Sequence, residues 1–543
     1  MSTSLRAALG LCAAMAIVGG SPHVWASPGG ARAKLFVIAD GVGHKAELIA
    51  AAGADSVRME FASSRSRAIF SGEFTSGQVR ALAAQGARFE PVEEIFPARA
   101  PQRFGHLFDA RSYDGPFVQP SAKPVCGDGM CSGRENASSC PADCSGGDPD
   151  PGGEERACAP QDQEEYQTLL TSGEVDASAG SGVRLFVIDT GTTRSHPDLD
   201  VSVCRNVTGR RTKDNCSDSL GHGTHTSGSA AATGGDDGAG LFGAAPGATL
   251  GFIKICTQQC FSDALVRGIE EAVAQGADVI SLSFGASNTT ALRNAVLDAE
   301  AADILFLASS GNGGPVENSI AYPAAYPEVV AVGILGADKI VTRMSARGAD
   351  DGNDGTIGTG EVELTGGGFV VESTWTDGCY EVLSGTSMST PSLAGLAAAN
   401  WQGSAAATRA WLVSSAEDVA NASLVPGYDP STAGWDRVSG YGLPRTGSGT
   451  DGFGAVSVAG SPSVVSAGAG VSISVFGPAN SPYRIGISSP SGDWTFGEFT
   501  TDGGGASALT LTPWADSGTW LMTVDFGGGK TSFGAAFDTF VQP

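Results

Sequence analysis

Five short apolar runs spaced through residues 161–450 constrain this chain more than any other feature. They lie at 183–188, 248–255, 279–283, 304–308 and 329–332. Each is rich in Val, Ile, Leu or Phe and apolar at both alternating sets of positions. A strand can bury both faces only in a sheet covered by helices, as parallel sheets are. Segments with helical spacing, 262–275 and 291–302, separate the runs and supply that cover. The pattern predicts an α/β domain with a mainly parallel sheet flanked by helices.

The chain has 543 residues, more than one core sustains, and its texture changes on either side of this region. Residues 27–96 read as a small α+β unit. Strands are expected at 34–38, at 68–70 with Phe74, and at 88–93, with helices at 45–52 and 78–85. Residues 97–160 form a linker rich in Pro, Gly and Asp. Within it Cys126, Cys131, Cys140 and Cys144 fall so close together that only cross-links can order them. From 451 to 543, alternating segments at 471–475, 483–487, 508–511 and 520–524 lie between Gly/Ser/Pro turns and predict an antiparallel β-sandwich.

At the N-terminus Arg6 precedes an apolar run at 7–18 and the sequence Val24-Trp25-Ala26. That is the pattern of a secretory signal over 1–26, and the run is too short for a permanent anchor. A secreted, extracellular, monomeric protein with no membrane anchor is expected. Of 11 cysteines, Cys12 leaves with the signal, and the even remainder favours disulfides over free thiols or zinc. The formal charge of −26 repels phosphate backbones, which argues against nucleic acid as a partner.

Three blocks carry chemistry. Val187-Ile188-Asp189-Thr190-Gly191 sets a carboxylate at the end of a buried strand. Gly221-His222-Gly223-Thr224-His225-Thr226 sets an imidazole at a glycine-rich helix start, and Ser384-Gly385-Thr386-Ser387-Met388-Ser389-Thr390-Pro391 sets a hydroxyl at another helix mouth. Serine is a weak nucleophile unless a base takes its proton, and the base must itself be oriented. Asp, then His, then Ser is the subtilisin order of these three roles.

On these motifs residues 180–445 resemble the subtilisin-like serine protease family, the subtilases. The resemblance implies a secreted endopeptidase acting through an acyl-enzyme, with Ser387 as nucleophile, His222 as base and Asp189 as its orienter. His225 reads as a packing residue. Ser309-Ser310-Gly311-Asn312-Gly313 looks like the family's oxyanion block, with Asn312 as donor beside the Ser387 N–H. Ser283, Phe284 and Gly285 look like the strand that pairs with substrate. Ala324, after Tyr322-Pro323, matches a pocket-lining stretch, and 256–260 looks like the opposite wall of the cleft.

The same resemblance implies structural Ca²⁺ and no organic cofactor. Asp198 matches the family's carboxylate ligand, and Asp237 falls where an Asn ligand is usual. Thr233, Ala239 and Leu241 are the candidate carbonyl ligands. Cys256 is expected to pair with Cys260, and Cys204 with Cys216. Cys158 is then left for Cys379, unless it joins the upstream knot. Residues 27–96 resemble a subtilisin propeptide, a chaperone and temporary inhibitor whose tail occupies the cleft until autocleavage. The chain's partners are thus peptide substrates and its own propeptide. Phe96, Phe104, Phe108 and Tyr113 stand as alternative cut positions.

Three other readings compete. A sedolisin-type acid protease shares Ser-Gly-Thr-Ser but uses a Glu base and an oxyanion Asp, where this chain has His222 and Asn312. A kexin-like processing protease also carries a β-sandwich after its catalytic domain. An inert secreted binding protein would need no intact catalytic set.

Overall fold

The computed structural model describes residues 32–97, most of 160–446, and the backbone of eight strands between 457 and 540. The signal segment, the linker with its cysteine knot, and Asp237 lie outside the described residues.

A seven-stranded sheet organises the central region. Its spatial order is Leu364–Gly367, Val330–Leu335, Leu305–Ser309, Val279–Leu282, Arg184–Asp189, Thr249–Lys254 and Val201–Asn206. Every neighbouring pair is parallel. The five apolar runs became its interior strands. Along each strand alternate residues feed opposite cores. Phe186 and Ile188 join Ile253, Ile280 and Phe306 on one face, under the helices Ser262–Ala274 and Thr290–Ala301. Leu185 and Val187 join Leu250, Leu305 and Leu307 on the other, against Leu393, Leu396 and Ala397 of the helix Thr386–Ala399. That helix and His222–Ala231 are buried along nearly their whole lengths, which explains their small, uniformly uncharged side chains.

The N-terminal module is a four-stranded antiparallel sheet in the order Val57–Glu60, Ile69–Phe74, Ala33–Ile38, Arg88–Pro91. Its helices Val42–Ala52 and Ser76–Ala84 cover one face around Val37, Leu48, Phe70 and Leu82. The other face, with Phe36, Met59 and Ile69, shares the core of the central region's two outer helices. The strand Val57–Glu60 was not among the sequence expectations. Beyond Arg88–Pro91 the chain leaves this sheet. Glu94–Pro97 then lies between Cys260–Phe261 and Phe284–Gly285, antiparallel to both.

The C-terminal strands form two sheets, of three and five strands. Their pairings are antiparallel except for Val464–Ser466 beside Phe533–Phe540. Among the described residues no helix is long and apolar enough to cross a membrane.

Candidate active site

Asp189 closes its strand where the chain leaves the sheet, and its carboxylate is fully buried. A charge there needs partners. It accepts from Thr190 N at 2.6 Å, from the Thr226 hydroxyl at 3.3 Å and from His222 Nδ1 at 2.8 Å. A carboxylate only accepts, so Nδ1 carries the proton and Nε2 keeps its lone pair. Nε2 is buried and has no hydrogen-bond partner. The Phe284 ring stands edge-on to the imidazole, 6.0 Å between centroids.

The helix that presents His222 starts at Gly221 without a side-chain cap of its own. Asp218 supplies one, accepting from Thr224 N at 2.9 Å and the Thr224 hydroxyl at 2.8 Å. Its other oxygen takes the Thr190 hydroxyl at 3.1 Å and Leu220 N at 3.0 Å. Burial works to raise the Asp218 pKa, but hydrogen bonds from Leu220, Thr224 and Gly221 outweigh it and hold the carboxyl below its usual range. A Cβ at Gly223 would fall 2.1 Å from Gly191 O, so only glycine lets the helix abut the end of the acid's strand.

His225, three residues along, is a different kind of histidine. Its Nε2 lies between the carbonyls of Val371 and Glu381, at 3.0 and 3.1 Å. Burial, with neighbouring His222, pushes its pKa down to about 3, so it is neutral where proteins normally work.

Ser387 is the second residue of its helix, in the first turn, whose N–H groups find no acceptor within the helix. Pro391, four residues on, has no N–H to give the Ser387 carbonyl. The Ser283 hydroxyl donates to that carbonyl instead, at 2.9 Å. In return Ser387 Oγ donates to Ser283 O at 3.3 Å. The helix of Ser387 and the segment at Ser283 are thus fastened in both directions. The His222 and Ser387 helices also pack against each other.

Asn312 follows the strand Leu305–Ser309. Its Oδ1 accepts from Thr386 N at 3.0 Å and the Thr386 hydroxyl at 3.1 Å. A backbone N–H can only donate, which fixes the amide with oxygen toward Thr386 and Nδ2 on the other side. Sequence reading did not pick out Thr386, Asp218 or Pro391 for these roles. Only Asp218 left a signal, an acid shortly before a helix that lacks its own cap.

The cleft contains a strand of this same chain. Phe96 pairs with Gly285 and Pro97 with Phe284, while Ile95 pairs with Cys260 on the opposite wall. Ile95 is buried to 2% in the shared core, whereas Phe96 is 64% exposed. A Cβ at Gly285 would meet that of Ala321 at 2.6 Å, so this edge has no room for a side chain. Ala286 and Tyr322 bond reciprocally, bringing the cis Tyr322–Pro323 segment alongside; Ala324 itself is buried in the core. Disulfides join Cys256 to Cys260 and Cys204 to Cys216. Cys379 is also disulfide-bonded, to a partner outside the described residues, where Cys158 lies.

Away from the cleft, Asp198 is fully buried beside the loop that starts at Thr233. Its Oδ2 accepts from Leu241 N at 2.9 Å and the Tyr380 hydroxyl at 2.6 Å. Its backbone carbonyl takes Thr233 N, and Gly234 N donates to Leu241 O. Gln163 Nε2 reaches Gly238 O, next to Ala239, at 2.5 Å. Among the described residues no group of three or more His, Cys, Asp or Glu side chains gathers as a metal site. The donors here are one carboxylate and neutral oxygens, a set that suits a hard cation only.

Comparison with known proteins gives matches over this region. The subtilase family matches residues 180–442. A subtilisin of Bacillus sp. (strain TA39) is 39% identical over 244 residues, covering 41% of this chain and 57% of that protein. Subtilisin DY of Bacillus licheniformis is 37% identical over 237 residues, covering 42% of this chain and 81% of that protein. Among solved structures, sphericase is 32% identical with a TM-score of 0.49, covering 53% of this chain and 99% of its own. This chain belongs to the subtilase family.

Proposed function

We propose that this protein is a secreted serine endopeptidase made as a zymogen that cleaves itself. The observation that carries the reading is the buried imidazole, held at Nδ1 by Asp189 with Nε2 unbonded, on a helix packed against that of Ser387. Rotation of Ser387 about χ1 exchanges its bond to Ser283 O for one to Nε2. Attack of Oγ on the scissile carbonyl carbon then forms the new C–O bond as the proton passes to His222. Asp189 stabilises the imidazolium. Negative charge develops on the carbonyl oxygen, toward Asn312 Nδ2 and the Ser387 N–H. His222 returns its proton to the departing amine, and water repeats the sequence on the acyl-enzyme. Peptide substrates bind as a strand between the two cleft walls.

Residues 27–96 fit the part of a propeptide, because the chain that follows their last sheet strand is already paired on both edges of the cleft. The register bears on where the cut falls. Pro97 stands against Phe284, and the next position along the wall is Ser283, whose carbonyl meets Ser387 Oγ. The proposed cut therefore lies beyond Pro97, the last described residue of this strand. Replacing Ser387 with Ala should lower casein hydrolysis by at least ~10⁴-fold and leave an uncleaved precursor. Sequencing of the wild-type mature chain should start beyond Pro97. Activity and maturation surviving in Ser387→Ala would refute the reading.

We further propose structural Ca²⁺ at the loop beside Asp198. Asp198, Thr233, Ala239 and Leu241 would hold it, with Asp237 from the same loop; the bound ion would tie this loop to the buried acid. Adding a chelator to purified protein should lower Tm by several degrees, on the order of 1–3 kcal/mol of lost binding linkage, restored by Ca²⁺. An unchanged Tm would remove the ion from the account.

A further inference from the structure

Beside the triad lies a buried cation that the mechanism above does not use. Lys254 ends the strand Thr249–Lys254 directly opposite Asp189 on the neighbouring parallel strand, so both side chains leave the sheet on one face. Only 7% of it is exposed. A buried ammonium is costly unless its protons find acceptors. Nζ donates to two carbonyls, Thr190 O at 2.5 Å and Ser217 O at 2.9 Å.

Those two carbonyls belong to the segments that support the acid and the base. Thr190 gives its N–H to Asp189 and accepts the Gly223 N–H on its hydroxyl at 2.8 Å. Ser217 precedes Asp218, the cap of the His222 helix. Lys254 therefore fastens both supports together. Burial lowers its pKa, and the carboxylates of Asp218 and Asp189 oppose that fall.

We infer that Lys254 is a positioning residue of the triad: it clamps the acid's strand end to the base's helix cap. The ionisable groups at the acid, the base and the helix cap are Asp189 from the sheet, Asp218 from the loop before the helix, His225 from the helix itself and Lys254 opposite Asp189 on the adjacent strand. Phe284 and the Ser387 helix add no charge on their sides. His225 is neutral, so the cation of this set is Lys254. Without the clamp the strand end and the helix cap can shift apart, which loosens the Asp189 bond to His222 Nδ1 and slows transfer of the serine proton.

This inference rests on the peptidase reading, and its test separates the two. Full-length Lys254→Gln keeps a donor for one carbonyl but no charge; Lys254→Met keeps neither. In both, kcat for a fluorogenic peptide should fall while the protein stays folded. KM should stay within about twofold, with the larger loss of kcat, about tenfold, in Lys254→Met. In a Ser387→Ala background, the His222 Nδ1 proton resonance should move or broaden by NMR as its bond to Asp189 loosens, whether or not the wild type proves to be a peptidase. A wild-type kcat and an unmoved resonance in a folded variant would overturn the inference. So would failure of both variants to fold, which would make Lys254 a packing residue only. Loss of the peptidase reading would show instead as activity in Ser387→Ala.

Discussion

The faces of the central sheet and the seam with the N-terminal module are built from different materials. On the sheet, aliphatic side chains meet aliphatic side chains on both sides. At the seam an apolar patch of Phe36, Met59, Ile69 and Ile95 is ringed by carboxylates that accept from across the boundary. Glu90 takes Thr290 N at 2.8 Å at the start of the helix Thr290–Ala301, and Glu93 takes Ser287 N. Glu270 takes Ser63 N at 3.1 Å, and Asp298 pairs with Arg65 at 3.0 Å. Asp263, fully buried, is held by Ser71 and Arg58 of the module, with burial pushing its pKa up. Water can replace most of these polar contacts when the surfaces part, whereas it cannot replace the aliphatic ones. The difference is that between a permanent interior and a boundary that holds firmly yet can open.

The comparison breaks if the interior yields no more steeply than the seam. The largest effect should come from acid acting on the interior. Unfolded His225 titrates near its ordinary 6.5 and folded His225 near 3, so the stability it permits is complete above pH 6.5 and is lost as pH falls toward 3. The loss should be on the order of several kcal/mol. Urea unfolding of the Ser387→Ala protein from pH 7 to 3.5 should show this slope, and His225→Gln should flatten it. Next comes the apolar centre of the seam. Ile95→Asp would set a carboxylate in a dry pocket, and should raise the affinity of the Ser387→Ala chain for a noncovalent peptide by about 100-fold. Calorimetry would measure it; an unchanged affinity would mean that the strand in the cleft does not compete with substrate. The smallest effect should be at the rim. Glu90→Ala removes one carboxylate from a helix start, about 1 kcal/mol, and the same titration should change by about fivefold.

What could be read from the amino acids follows the same division. Interior strands of the sheet have no solvent side, so their residues are apolar without a break and were legible. The two edge strands, Val201–Asn206 and Leu364–Gly367, were not. The first mixes exposed and buried positions and the second ends in two glycines. Val57–Glu60 does alternate, with Val57 and Met59 inward, but four residues are too few to stand out. In the site, Asp189, His222, Ser387 and Asn312 sit in short glycine-marked motifs, because the backbone must bend sharply or approach closely around each. Asp218 left only a faint signal, an acid shortly before an uncapped helix, while Lys254 is a single polar residue whose role exists only through partners brought close by the fold. The seam was invisible for the same reason: Glu90 and Glu93 look like any surface acids until Thr290 and Ser287 arrive opposite them.

Thr386 touches Asn312 through both its amide and its hydroxyl, and it is the immediate neighbour of Ser387. In the proposed mechanism the group that attacks and the group that steadies the resulting charge are therefore mounted on one bracket. If the cleft walls spread to admit a bulky chain or narrow around a slim one, the spacing between these two tools stays the same, and the machinery need not be rebuilt for each sequence it meets.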